Sequence, residues 1–192
     1  MRKLVMWNLM TLDGFFEGEE PWSLDFHEEV WGEELERFSN EQSEEVGTVL
    51  FGRRTYEGMA KHWSSAKGRT AEFMNSVPKV VFSRTLASAD WNNSRLVRDG
   101  AAAEVAALKR MPGKDLFLFG SADLSATFVR EGLFDEYRIG VAPMLLGAGN
   151  PLFKGSDERA RLELVEARPL ATGCVILRYR PRRSAGESKA GP

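Results

Sequence analysis

The chain has 192 residues and 43% hydrophobic content, enough for one domain with a full apolar core. Charged residues make up 28%, yet the formal net charge is −2, so no global field recruits nucleic acid or anionic lipid. The single cysteine, Cys174, excludes an intramolecular disulfide and a multi-cysteine metal site, and the two histidines, His27 and His62, are too far apart to make a metal signature.

In chain order, Lys3 to Met10 reads as an apolar first strand, ended by Thr11-Leu12-Asp13-Gly14. Its apolar run is too short for a signal-peptide core, and no stretch approaches a membrane span of about 20 residues, so a soluble, cytoplasmic protein is expected. From Ser23, as N-cap, the spacing predicts one helix whose apolar stripe is Leu24, His27, Trp31, Leu35 and Phe38. A strand at Thr48 to Phe51 follows, then a helix from about Thr55, a polar loop from Trp63, and a short helix from Thr70 to Ser76 stopped by Pro78. Lys79 to Phe82 and Arg95 to Val97 read as strands, and Asp99 to Met111 as an alanine-rich helix ended by Pro112-Gly113. Next come a strand at Asp115 to Phe119, a helix from Ser121 to Glu131, and a strand at Tyr137 to Val141. Arg161 to Ala167 and Cys174 to Arg180 read as two strands joined by a loop containing Pro169 and Gly173, an antiparallel hairpin, with Cys174 a buried hydrophobe. Residues 1–180 form the expected domain, and the polar segment 181–192 an expected disordered tail. The fold class is α/β, with a mostly parallel sheet and an antiparallel edge.

Three apolar strands end alike, in phenylalanine, a small residue and a polar loop: Phe51-Gly52-Arg53-Arg54-Thr55, Phe82-Ser83-Arg84-Thr85, and Phe119-Gly120-Ser121-Ala122. In an open parallel sheet, ligands sit at the carboxyl ends of the strands. Small residues leave amides accessible, helix N-termini favour anions, and arginine supplies forked donors. Arg53 and Arg54 sit badly at the positive end of a helix dipole, which points either to a compensating anion or to plain solvent exposure. Ser83, Arg84 and Thr85 suit a terminal phosphate such as the one that separates NADPH from NADH. Gly120, Ser121, Ala122, Asp123 and Leu124 form a strand-to-helix junction suited to pyrophosphate. The chain lacks Gly-x-Gly-x-x-Gly and a P-loop, so a Rossmann dehydrogenase or P-loop hydrolase is disfavoured.

With Pro21-Trp22 and Pro143-Met144-Leu145-Leu146-Gly147-Ala148-Gly149, these motifs resemble the dihydrofolate reductase-like superfamily, and more closely its RibD C-terminal branch of riboflavin-biosynthesis reductases. The resemblance runs from Leu4 to Tyr179. It implies a three-layer fold with helices on both faces of the sheet, NADPH as cofactor, hydride delivery to a pteridine or aminopyrimidine ring, and a homodimer. It assigns Gly52 to Thr55 and Ser83 to Thr85 to the adenosine-phosphate end and Gly120 to Leu124 to the pyrophosphate. The nicotinamide would lie near Leu12, Asp13 and Gly14, with Trp22, Trp31 and Leu145 toward the substrate. Dihydrofolate reductases carry an acid where this chain has His27. Asp13 and His27 are therefore both candidate catalytic groups, Asp13 against an ordinary Asp-Gly turn and His27 against a core histidine.

Two functions follow. One is an NADPH-dependent reductase acting on a flat nitrogen heterocycle, with no metal. The alternative is a non-catalytic module that keeps only the nucleotide cradle.

Overall fold

Apolar strands bury on both faces, and the computed structural model, which describes residues 1–155 and 159–182, stacks six strands in parallel with the most apolar of them at the centre. They are β1 (Leu4–Thr11), β3 (Val46–Gly52), β4 (Lys79–Phe82), β5 (Ser94–Val97), β6 (Asp115–Phe119) and β7 (Glu136–Ala142). Two further strands, β9 (Leu162–Pro169) and β10 (Val175–Pro181), form the C-terminal hairpin. The sheet order is β5-β4-β3-β6-β1-β7-β10-β9, with β10 antiparallel to β7. A small antiparallel pair, β2 (Phe15–Glu17) with β8 (Asn150–Pro151), joins two segments that read as loops.

Strand alternation divides the core. Leu4, Met6, Leu50, Leu116 and Leu118 face one side, against α5 (Ala101–Arg110) and α6 (Ala122–Arg130). Val5, Val49, Phe51 and Phe117 face the other, against α3 (Arg53–Trp63) and α4 (Arg69–Ser76). Beyond them Leu9 and Ile176 pack under α1 (Phe26–Val30) and α2 (Glu33–Ser43). Cys174 is fully buried there, and burial pushes its thiol up to about 11.

The single helix expected from Ser23 is two. Gly32 is extended at φ −173° and ψ 178°, and it interrupts the chain between α1 and α2. Asp25, not Ser23, stands at the N-cap position, and Ser23 instead accepts the Gly18 amide through its carbonyl. The break moves the buried stripe to Phe26 and Val30 and leaves Trp31 48% exposed. The helix expected from Thr55 begins two residues earlier, so both arginines lie within the first turn of α3. Of the expected tail, Pro181 belongs to β10 instead, and residues 183–192 lie outside the described residues.

Charge is also buried in the sheet. Glu136 is fully buried and accepts from Arg138 Nε at 2.8 Å and from Arg178 Nη2 at 2.8 Å. Desolvation pushes its carboxyl up, but the two guanidinium groups together outweigh it and hold the carboxyl below its usual range.

Candidate functional site

β3 and β6 are neighbours, so the helices that follow them start side by side. A Cβ at Gly52 would sit 3.7 Å from Ser121 Oγ and 3.8 Å from Leu124 Cβ. Side chains that could cap these helices tie the two junctions together instead. Ser121 Oγ accepts the Gly52 amide at 2.9 Å and donates to the Phe119 carbonyl at 3.1 Å. Thr55 Oγ1 accepts the Ser121 amide at 2.9 Å, and Asn8 Oδ1 accepts the Gly120 amide at 2.8 Å. Gly120 and Ser121 are both left-handed, at φ 56° and 61°, and a Cβ at Gly120 would meet Thr55 Cγ2 at 2.8 Å. Neither α3 nor α6 has a side-chain cap, so the first-turn amides of both lack a side-chain acceptor, at the positive ends of two dipoles.

These termini border a cleft of about 1290 Å³ that folds over the carboxyl edge of the sheet. One arm lies on the α6 side, beside Asn8, Phe16, Glu17, Phe82 and Gly120 to Leu124. The other lies between α2 and α3, beside Trp7, Leu9, Leu24, His27, Gln42 and Trp63. Trp22 and Trp31 line it as well. Trp22 has φ 71°, an unusual conformation for a bulky residue, which costs about 1–3 kcal/mol where it occurs. Glu17 holds it, accepting the Trp22 amide at 3.1 Å through Oε2 and the Asn150 side chain at 2.8 Å through Oε1.

Of the residues singled out from the sequence, Gly52 to Thr55 and Gly120 to Leu124 all line the cleft, as do Trp22, His27 and Trp31. Arg53 pairs with Glu57 at 3.8 Å across one helical turn, both about half exposed. Asp123 pairs with Lys154.

The other singled-out residues lie elsewhere. Leu12, Asp13 and Gly14 do not line the cleft, because a clasp draws their turn toward the loop after β7. Asp13 accepts from the Thr11 hydroxyl at 2.5 Å, the Gly147 amide at 2.8 Å and the Leu146 amide at 3.2 Å. The Thr11 hydroxyl first, and then the Gly147 amide, hold its carboxyl below the usual range. The Leu12 amide donates to the Met144 carbonyl at 2.9 Å, and the Gly14 carbonyl accepts from Leu152 at 2.9 Å. Leu145, 72% exposed, is outside the cleft too. At the end of β4 only Phe82 reaches the cleft wall. The Ser83 hydroxyl accepts the amides of Thr85 at 3.2 Å and Leu86 at 3.0 Å, and Arg84 and Thr85 are exposed.

His27 is packed edge-on against Phe26, 4.6 Å between ring centroids, and its Nε2 has no partner. Burial pushes its imidazole down to about 4, with Asp25 opposing, so the ring is neutral at pH 7.

Three cleft residues escaped the sequence reading. Asn8 is 5% exposed and its Nδ2 is buried without a partner. Gln42, 4% exposed, has its Oε1 in the same condition. Each had a signal: Asn8 is a polar residue in an apolar strand, and Gln42 continues the Leu35–Phe38 stripe at helical spacing. Gly58 gave none, since its role is to be covered by Trp22.

Comparison with known proteins adds to this geometry. Residues 2–176 match the model of the RibD C-terminal domain. The chain is 32% identical over 186 residues to the uncharacterized protein YyaP of Bacillus subtilis, covering 93% of this chain and 94% of that one. Among solved structures, it superposes with a TM-score of 0.67 and 14% identity on a diaminohydroxyphosphoribosylaminopyrimidine deaminase/5-amino-6-(5-phosphoribosylamino)uracil reductase from Thermotoga maritima, covering 94% of this chain and 57% of that one. It also matches dihydrofolate reductase from Enterococcus faecalis, which was complexed with NADP(H), at a TM-score of 0.63 and 14% identity, covering 94% and 97% of the two chains.

Proposed function

The chain belongs to the RibD C-terminal domain family, and from that premise we propose that it is an NADPH-dependent reductase acting on a flat nitrogen heterocycle. One observation carries the reading: two uncapped helix N-termini, α3 and α6, are laced together at the rim of a single cleft. Amides at two adjacent dipole ends, with Arg54 beside them, suit a pyrophosphate.

When bound, NADPH supplies the hydride. The protein's own groups hold and orient the reactants. First-turn amides of α3 and α6 bind phosphate oxygens. Asn8 Nδ2, a buried donor without a partner, offers a hydrogen bond to a carbonyl on a ring lying over the end of β1. Trp22 and Trp31 cover the other arm and exclude water from it. His27, neutral at pH 7, positions a substrate through Nε2 rather than by charge. A homodimer belongs to the same reading, since β9 is one of the two edge strands of the sheet and exposes Leu164 and Val165.

Titration of the purified protein with NADPH and NADH tests this. The expected result is saturable binding of NADPH, weakened about tenfold in Arg54→Ala. Binding of neither nucleotide removes the proposal. A specific observation favours a second reading, a binding module without catalysis: at neutral pH the arm between α2 and α3 buries no charged acid or base. Saturable NADPH binding with no oxidation on a broad panel of heterocycles would select it.

A further inference from the structure

The two arms of the cleft differ in charge. Its lining among the described residues includes two arginines, Arg53 and Arg54, both in the first turn of α3. Arg53 is paired with Glu57. At the mouth of the arm between α2 and α3, the exposed charged side chains are Asp25, Glu28 and the Arg53–Glu57 pair, so the balance there is acidic. Deeper in, the polar groups are neutral, and two of them are left wanting: Gln42 Oε1, an acceptor on a side chain 4% exposed, and His27 Nε2. The walls are aromatic, from Trp7, Trp22, Trp31, Trp63 and Phe73.

We propose that this arm takes a planar nitrogen heterocycle that is uncharged or cationic, and turns away ligands bearing a phosphate ester or a carboxylate tail. This rests on the reductase reading above and narrows its substrate class. A ring N–H or amino group would satisfy Gln42 Oε1, which otherwise stays buried and unpaired at a real cost. Aromatic walls stack on a flat ring whatever its sequence of heteroatoms, and they attract a cationic one further through their π-faces. An anionic tail leaving the arm would pass the Asp25 and Glu28 carboxylates, and the arginine on that side, Arg53, is already paired with Glu57. The Thermotoga neighbour's name specifies a phosphoribosyl substrate, and dihydrofolate carries a glutamate tail. This arm has no counter-charge for either.

The test is calorimetric titration of the full-length protein with two matched pairs: riboflavin against riboflavin 5′-phosphate, and pterin against folic acid. Each titration is run with and without saturating NADPH, so that capture of the anionic member at the helix N-termini registers as a difference between the two conditions. With NADPH present, the uncharged member is expected to bind at least about tenfold tighter than its partner. In the surface double variant Asp25→Asn/Glu28→Gln, which leaves the Arg53–Glu57 pair intact, that gap should shrink to about threefold or less. Gln42→Leu should lose about tenfold in affinity for the uncharged ligands without a lower melting temperature, because leucine removes a buried unpaired oxygen. Should Gln42→Leu fail to fold, the double variant decides alone, and an unchanged gap there overturns the proposal. Equal or tighter binding of the anionic members, or binding of neither member of both pairs, also overturns it. A preference that persists in a protein unable to bind NADPH would sink the cofactor reading and leave this one standing. NADPH binding without the preference does the reverse.

Discussion

The indole of Trp22 rests on the backbone of Gly58, so close that a Cβ at residue 58 would lie 2.4 Å from its Cε3 and Cζ3 atoms. Gly58→Ala therefore separates stability from function. Alanine is favoured over glycine inside a helix by about 1 kcal/mol, which offsets the displacement of a half-exposed ring. The melting temperature should change little, while affinity for a cleft ligand should fall by about tenfold as Trp22 is pushed off its seat. An unchanged affinity would mean that Trp22 does not wall the cleft.

Thr55 and Gly120 meet at the junction of the two helix N-termini. Thr55→Val keeps the shape but leaves the buried Ser121 amide without its acceptor, at a cost of about 1–3 kcal/mol. Gly120→Ala forces a side chain into a left-handed residue and against Thr55 Cγ2, at a similar cost of about 1–3 kcal/mol. Because both break the same contact, the double variant should lose less than the sum of the two, as read by urea denaturation.

His27 sets a pH dependence of known sign. Its imidazole is lowered from 6.5 to about 4 on folding, so between those values the unfolded chain binds more protons than the folded one. Stability from this group is then lost as pH falls from about 6.5 toward 4 and is fully present above that window. His27→Gln should flatten that part of the stability profile in denaturation at stepped pH. A proton resonance of His27 with a midpoint near neutrality would contradict the burial argument.

Glu136→Gln should be among the most damaging single changes. It leaves the Arg138 and Arg178 guanidinium groups facing a neutral amide inside the sheet, and breaking one partner of a buried ion pair costs about 3–5 kcal/mol. The wild-type carboxyl, held below its ordinary value, contributes stability that is present above the unfolded pKa and lost as pH falls through the folded one. Denaturant midpoints of the variant should therefore be lower at pH 7 and converge with wild type in acid.

The central strands and the rim were legible because buried parallel strands write themselves as apolar runs, and a phenylalanine followed by a small residue marks where three of them, β3, β4 and β6, stop. The same reading placed Gly52 and Gly120 on the cleft without a single coordinate. Helix periodicity failed at Trp31-Gly32, where one glycine outweighed a stripe that continued on both sides. Asp13 failed for another reason. Its partners, Leu146 and Gly147, are over 130 residues away in sequence, and nothing local announces such a clasp. Gln42 was visible in principle, but a polar residue on an apolar stripe takes its meaning from the space it faces.

β1 lies between β6 and β7, with Leu4 paired to Leu116 and Val5 to Glu136. β1 is thus the keystone of an arch whose neighbouring stones come more than a hundred residues later in the chain. Until they arrive, an unbroken apolar ribbon waits with both flanks open, so assembly is slow to nucleate and exposed to misassociation while it waits. Moving that ribbon to the end of the chain by circular permutation would let the other strands gather first.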